Sequence, residues 1–259
     1  MDRTEVDSLG TENIIRTNLC SRYSFDNFVL CDANMLAYSA AKALVAGEKR
    51  FNPFCIVGSS GNGKTHLLQA IGNAIVQQDS EKKVLYSATE EFVNDVLQGV
   101  RSGKLGAMES LREKYRTPDI LLLDDFDFIE GKNMCATELM HSIDFMQREG
   151  SQIVLTSSKR PGEIEDINAH LYNLISEGLV VEMSTPDQAM KESIVREKAK
   201  EAGVLLRDEV IEYISGNCHS NISEIEGAIK SIVAYSELAK PVISLDAAKG
   251  VLKAIMPES

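Results

Sequence analysis

Gly58-Ser59-Ser60-Gly61-Asn62-Gly63-Lys64-Thr65 matches the pattern G-x-x-x-x-G-K-[ST] at every fixed position, and its reading decides the fold. The glycines let successive backbone N–H groups turn inward around phosphate oxygens, where a side chain would clash. Lys64 is expected to reach the β- and γ-phosphates of ATP or ADP, and the Thr65 hydroxyl to ligate Mg²⁺. The helix that starts here adds the positive end of its dipole to the same anion. A chance match in a chain of this length is on the order of 1%. The residues expected to hold the nucleotide are therefore Gly58, Gly61, Asn62, Gly63, Lys64, Thr65 and His66.

The surroundings fit that reading. Phe54-Cys55-Ile56-Val57 runs straight into the loop, and Leu67, Leu68, Ile71, Ala74 and Ile75 follow it at helical spacing. Further short apolar runs stand at Val84-Leu85-Tyr86, Ile120-Leu121-Leu122-Leu123, Ile153-Val154-Leu155 and Leu179-Val180-Val181. Unbroken runs separated by helical patterns predict an α/β fold with a parallel sheet covered on both faces. Ser184-Thr185-Pro186-Asp187 interrupts the alternation, and beyond it only three or four helices are expected. Asn221 followed by Glu224 resembles a capping box ahead of Ile225, Ala228, Ile229 and Ile232. The expected organisation is a flexible leader over 1–22, an α/β nucleotide-binding domain over 23–183 and a small all-helical domain over 187–259.

Ile120-Leu121-Leu122-Leu123-Asp124-Asp125 supplies the second half of the site. Four apolar residues ending in two carboxylates predict a buried strand that delivers acids to the carboxyl edge of the sheet, where such sheets bind ligands. Asp124 is expected to hold Mg²⁺ through water, and Asp125 to orient or deprotonate the attacking water as the catalytic residue.

Composition narrows the function classes. The chain carries 27 Lys and Arg against 39 Asp and Glu, a net charge of −12. A chain this acidic gains little from counterion release, so sequence-specific reading of duplex DNA is not expected. No apolar run approaches the roughly 20 residues of a membrane span, and the start lacks the order of a secretory signal. A cytoplasmic location is expected, without membrane partners. The five cysteines, Cys20, Cys31, Cys55, Cys135 and Cys218, form no C-x-x-C pair and read as reduced, mostly buried thiols. Adjacent Cys218 and His219 do not by themselves make a metal site.

Several stretches resemble one family. Tyr23-Ser24-Phe25-Asp26-Asn27-Phe28-Val29, then Lys64-Thr65-His66-Leu67-Leu68, is similar to the opening of the bacterial replication initiator DnaA. Leu121-Leu122-Leu123-Asp124-Asp125-Phe126-Asp127-Phe128 resembles that family's Walker B segment, Leu155-Thr156-Ser157-Ser158 its sensor 1 strand, and Asn221–Ala228 its sensor 2 helix. The resemblance runs from about residue 22 to 256. It implies a P-loop AAA+ three-layer sandwich, with the helical domain acting as a lid and the base lying near Tyr23–Val29. It also implies that residues 88–118 match an insert that contacts single-stranded DNA; Arg101, Lys104, Arg112, Lys114 and Arg116 there suggest at most a weak contact.

The departures from the family carry functional information. The segment of R-L-x-S-R-F type that supplies the arginine finger is matched by His170-Leu171-Tyr172-Asn173-Leu174-Ile175, with Leu174 in the finger position. The sensor 2 arginine falls at Ser223, and the acidic residue after the sensor 1 Thr-Ser falls at Ser158. The chain also stops where an initiator continues into its DNA-binding domain. The resemblance thus implies a DnaA-like nucleotide-binding protein that acts in or regulates chromosomal replication initiation, with weak or no ATP hydrolysis. Its expected partner is another AAA+ replication protein such as the initiator itself, met through one competent face. Two alternatives stand beside it: the ATPase core of an active initiator cut before its DNA-binding domain, and a helicase-loader-like ATPase.

Overall fold

The computed structural model describes residues 18–103, 106–218, 222–239 and 243–253. Its centre is a five-stranded sheet of β1 (Phe54–Val57), β2 (Val84–Ala88), β3 (Ile120–Asp124), β4 (Gln152–Ser157) and β5 (Leu179–Glu182), in the order β2-β3-β4-β1-β5. Every pairing is parallel. β1 and β3 are buried along their whole lengths, which is why their sequences are unbroken apolar runs rather than alternating ones.

The pleat divides each strand between two cores. Cys55, Val57, Leu121, Leu123, Ile153 and Leu155 face one way, against α3 (Thr89–Ser102), α4 (Ala107–Arg116), α5 (Asn133–Arg148) and α6 (Ala169–Ser176). Phe54, Ile56, Ile120, Leu122 and Val154 face the other, against α1 (Met35–Val45) and α2 (Lys64–Gln78). The result is the expected three-layer sandwich. Each fully buried Leu, Ile or Phe contributes about 1.5–3 kcal/mol, so the two faces account for most of the stabilisation of this body.

Four helices follow: α7 (Gln188–Glu201), α8 (Asp208–Asn217), α9 (Ile222–Ala239) and α10 (Leu245–Leu252). They enclose a third core of Ile194, Val195, Ile211, Ile214, Ile225, Ile229 and Ile232. Asp187 caps α7 by accepting the Met190 N–H at 2.9 Å, and Ser244 caps α10. Val29 packs against this third core, so the segment before α1 touches the helical bundle.

Residues 1–17 of the expected leader lie outside the described residues, as do Asn221 of the expected capping box and His219. Leu19, at the near end of that leader, packs on the α2 side of the sheet, against Gly72. Cys55, Cys135 and Cys218 are buried; Cys31 is half-buried and Cys20 exposed.

The approach of the chain to β1 is tight. An added Cβ on Gly178 would stand 2.0 Å from the Pro53 carbonyl oxygen, a backbone atom that cannot swing aside. Gly178→Ala is therefore expected to cost about 3 kcal/mol or more in urea unfolding. Gly216→Ala, on a helix with nothing within 4 Å of its Cβ position, should be neutral or stabilising. Equal stabilities of the two variants would contradict this account of the β1–β5 junction.

Candidate nucleotide-binding site

β1 ends at Val57, and the chain turns at once into the glycine loop. Gly58 N–H donates to the Ser157 carbonyl at 3.0 Å, and its position leaves no room for a side chain, since a Cβ would sit 2.5 Å from the Met183 carbonyl oxygen. Asn62 Nδ2 donates to that same carbonyl at 3.2 Å, tying the loop to the end of β5. Gly61 and Gly63 take φ values of 79° and 90°, which other residues adopt at a cost. Gly63 is the N-cap of α2 and offers no side-chain acceptor to the first-turn amides. Those N–H groups remain available to an anion, with the helix dipole behind them.

Lys64 is 5% exposed. Its ammonium donates to the carbonyls of Gly58 at 2.7 Å and Ser59 at 3.1 Å. Burial pushes its pKa down, and the carboxylates of Asp125, Asp124 and Asp127 pull it back up.

Asp124 ends β3 and is 4% exposed. Its Oδ1 accepts a hydrogen bond from the Thr156 hydroxyl of β4, and its Oδ2 one from the Tyr86 hydroxyl of β2 at 2.9 Å. Thr156 also accepts the Asp125 N–H at 2.9 Å. Asp125 sits in the left-handed region at φ 52°, a conformation that aspartate tolerates better than most residues. Burial raises the Asp125 carboxyl above the ordinary carboxylate range, and the neighbouring Asp124 charge adds to the rise. A carboxylate made more basic in this way is suited to accept a proton from water. The hydroxyl of Thr65 and the carboxylate of Asp124 are hard oxygen donors of the kind Mg²⁺ prefers, and so fit that ion.

The glycine loop opens into a cavity of about 310 Å³. Lys64, Thr65 and Asp125 line one side, His66 and Tyr23 another, and Lys198 with Glu226 closes it from the helical domain. His66 Nε2 faces two acceptors, the Ser24 carbonyl at 2.9 Å and Asn27 Oδ1 at 3.0 Å, so that nitrogen carries the proton. Burial lowers the pKa of His66. Its ring lies 5.1 Å from Tyr23 and 5.3 Å from Phe28, which joins the glycine loop to the Tyr23–Val29 segment.

Sequence reasoning missed Lys198 and Glu226. Lys198, whose side chain is 13% exposed, lies 3.1 Å from Glu201 and 3.6 Å from Glu226. No local pattern announces either residue; only the packing of α7 and α9 brings them to the cleft.

One expectation needs correction. Leu174 stands on α6 facing inward at 7% exposure, packed in the same core as Leu171 and Ile175. The outer face of α6 presents Tyr172 and Asn173 instead. The 171, 174, 175 spacing is a core stripe and could have been read as one. The basic residues of the 88–118 insert are also less available than their number suggests. Arg112 and Arg116 both pair with Glu138, at 3.0 and 2.7 Å, and Lys114 pairs with Glu91 at 3.0 Å and Asp95 at 2.7 Å. Lys104 and the side chain of Ser223 lie outside the described residues; Ser158 is exposed and donates its N–H to Asp127 at 2.7 Å.

Residues 19–182 match the family model described as the bacterial DnaA ATPase domain. Domain III of the Thermotoga maritima replication initiation protein DnaA is 35% identical, with a TM-score of 0.86 over 93% of this chain and 100% of that one. A replication initiator DnaA bound to AMPPCP and single-stranded DNA is 33% identical, with a TM-score of 0.77 over 86% of this chain. AMPPCP-bound DnaA from Aquifex aeolicus is 32% identical, with a TM-score of 0.76 over 85% of this chain. The chain spans 66% and 67% of the lengths of those last two structures.

Thr156 carries two roles in one hydroxyl. Thr156→Val leaves a buried carboxylate short of a donor and a backbone N–H short of an acceptor. The expected cost is about 2–3 kcal/mol in chemical unfolding, with Thr156→Ser close to wild type. A Val variant as stable as the Ser variant would show that the hydroxyl is not holding the two acids.

Proposed function

The chain belongs to the bacterial DnaA ATPase-domain family, and from that premise we propose that it binds ATP or ADP with Mg²⁺ in this cleft while hydrolysing ATP weakly or not at all. It acts in the cytoplasm in, or as a regulator of, chromosomal replication initiation. Its partner is another AAA+ replication protein, with the initiator itself the first choice. Gly58, Gly61, Asn62, Gly63, Lys64, Thr65 and His66 hold the nucleotide, Thr65 and Asp124 the metal, and Asp125 the attacking water. Residues 187–259 serve as the lid.

The observation that carries this reading is the contrast between two faces. The cleft keeps its loop, Lys64 and Asp125, and Asp124 is buried at the end of β3. The helix that should present a finger turns Leu174 into the core and contains no lysine or arginine. An arginine finger is worth roughly 10³–10⁵ in rate, about 4–7 kcal/mol of barrier, whereas binding rests on the loop amides and Lys64. Modules that join head to tail form open chains. A subunit able to receive a neighbour at its cleft but unable to offer a finger ends such a chain. Single-stranded DNA contact is weak in this reading, because Arg112, Lys114 and Arg116 are already held by carboxylates.

Two experiments test it. ATP or ADP at about 100 times its dissociation constant should stabilise the fold by roughly 2.7 kcal/mol, and Lys64→Ala should remove most of that shift. No shift with either nucleotide and Mg²⁺ would sink the binding claim. The host's full initiator, assembled on DNA with ATP, should form shorter chains when this protein is added below stoichiometry. Asn173→Arg, on the exposed face of α6, should partly relieve the effect. Unchanged assembly at equimolar protein would rule out capping.

A further inference from the structure

The Asp124 carboxylate is gripped from both neighbouring strands, and one of the two grips belongs to a residue outside every motif. Tyr86 lies on β2, two residues before Ala88, the residue in register with Asp124. Side chains two apart share a face of the sheet, so Tyr86 is the diagonal neighbour of Asp124, within reach of a long aromatic side chain. Its hydroxyl donates to Oδ2 at 2.9 Å. Thr89 Oγ1, one residue past the end of β2, donates to the Asp124 backbone carbonyl at 2.8 Å and fixes the main chain at the same point.

A second layer stands behind Tyr86. Gln69, a buried polar residue of α2, sets its side-chain amide beside the Tyr86 hydroxyl. The Gln69 Oε1 accepts the Cys20 N–H at 2.8 Å. Asn73, one turn further along α2, holds the same incoming segment through the carbonyls of Cys20 and Tyr23, at 2.9 and 2.7 Å.

We propose that Tyr86 is a positioning residue for the metal carboxylate, holding Asp124 in the one orientation that meets a hydrated Mg²⁺ beside the nucleotide. The proposal rests on the nucleotide–Mg²⁺ reading above. A carboxylate has about four acceptor sites; the Thr156 and Tyr86 hydroxyls take one on each oxygen and leave the others for water. Rotation of the carboxylate would break both bonds in a buried setting, so its orientation is settled before the ion arrives. Partners of this outer kind commonly change metal affinity by about 10–100-fold when removed. Because Asp124 is expected to act through water, the lower end of that range applies.

The test is the Mg²⁺ dependence of ADP-induced thermal stabilisation, with circular dichroism to confirm folding. Tyr86→Phe keeps the ring and removes only the hydroxyl. It should raise the half-saturating Mg²⁺ concentration about tenfold, while the shift produced by ADP in EDTA stays at the wild-type value. Gln69→Leu leaves Tyr86 and Asp124 in place and serves if the first variant folds poorly; it should raise the same concentration about two- to threefold. A Mg²⁺ requirement that is unchanged or lower in Tyr86→Phe overturns the proposal, the lower value meaning that the tyrosine competes with the ion. A wild-type protein with no Mg²⁺-dependent increment overturns the metal reading and this proposal together.

Discussion

Charge buried at the carboxyl edge of a parallel sheet must be met by partners that the fold itself delivers. Lys64 and Asp124 are 5% and 4% exposed, and each alone would be costly in that position. The strand order supplies the remedy. β3 lies between β2 and β4, so its terminal acid receives one hydroxyl from each side. β1 lies between β4 and β5, so the loop leaving it is tied to Ser157 on one side and Met183 on the other. The glycines at 58, 61 and 63 are required because that loop is confined by backbone as well as curved. What remains without a side-chain cap is the row of helix-start amides beside the buried Lys64, and a polyphosphate would answer it.

In the proposed function, binding and turnover rest on different elements of this chain. The proposed binding groups come from the loop after β1, the start of α2 and the end of β3, held by main-chain contacts at the loop and by the Thr156 and Tyr86 hydroxyls at Asp124. In that reading an accelerating cation would come from another surface, and α6 carries no lysine or arginine to supply one. Leu171, Leu174 and Ile175 bury one stripe of α6 in the sheet core, stabilising the helix at the expense of any outward finger. α7 contributes Lys198, already paired with Glu201 and Glu226, so its charge is spoken for within the cleft. The outcome is a site built to hold a nucleotide.

Much of this was legible from local sequence. The glycine loop, the apolar run before it and the acid pair after Leu123 are each contiguous, and contiguous patterns report strands, turns and helix starts directly. The buried stripe on α6 was legible too, but an alignment to a finger motif obscured it, because alignment gives register and not facing. Tyr86, Gln69, Lys198 and Glu226 were not legible. Each reaches the site from an element whose own pattern is ordinary, and only the sheet order and the docking of α7 and α9 bring them there. The pairing of Arg112, Lys114 and Arg116 was hidden for the same reason: Glu138, Glu91 and Asp95 lie 19 to 26 residues away.

The central claim is that this cleft captures nucleotide and keeps it intact. Its most direct test is the fate of bound ATP: equimolar labelled ATP and Mg²⁺ are mixed with the protein, free nucleotide is removed, and the bound fraction is resolved chromatographically over time. Stoichiometric label that stays ATP over many minutes, and is lost in Lys64→Ala, is the result this account predicts. No retained label, or conversion to ADP within seconds, would contradict it.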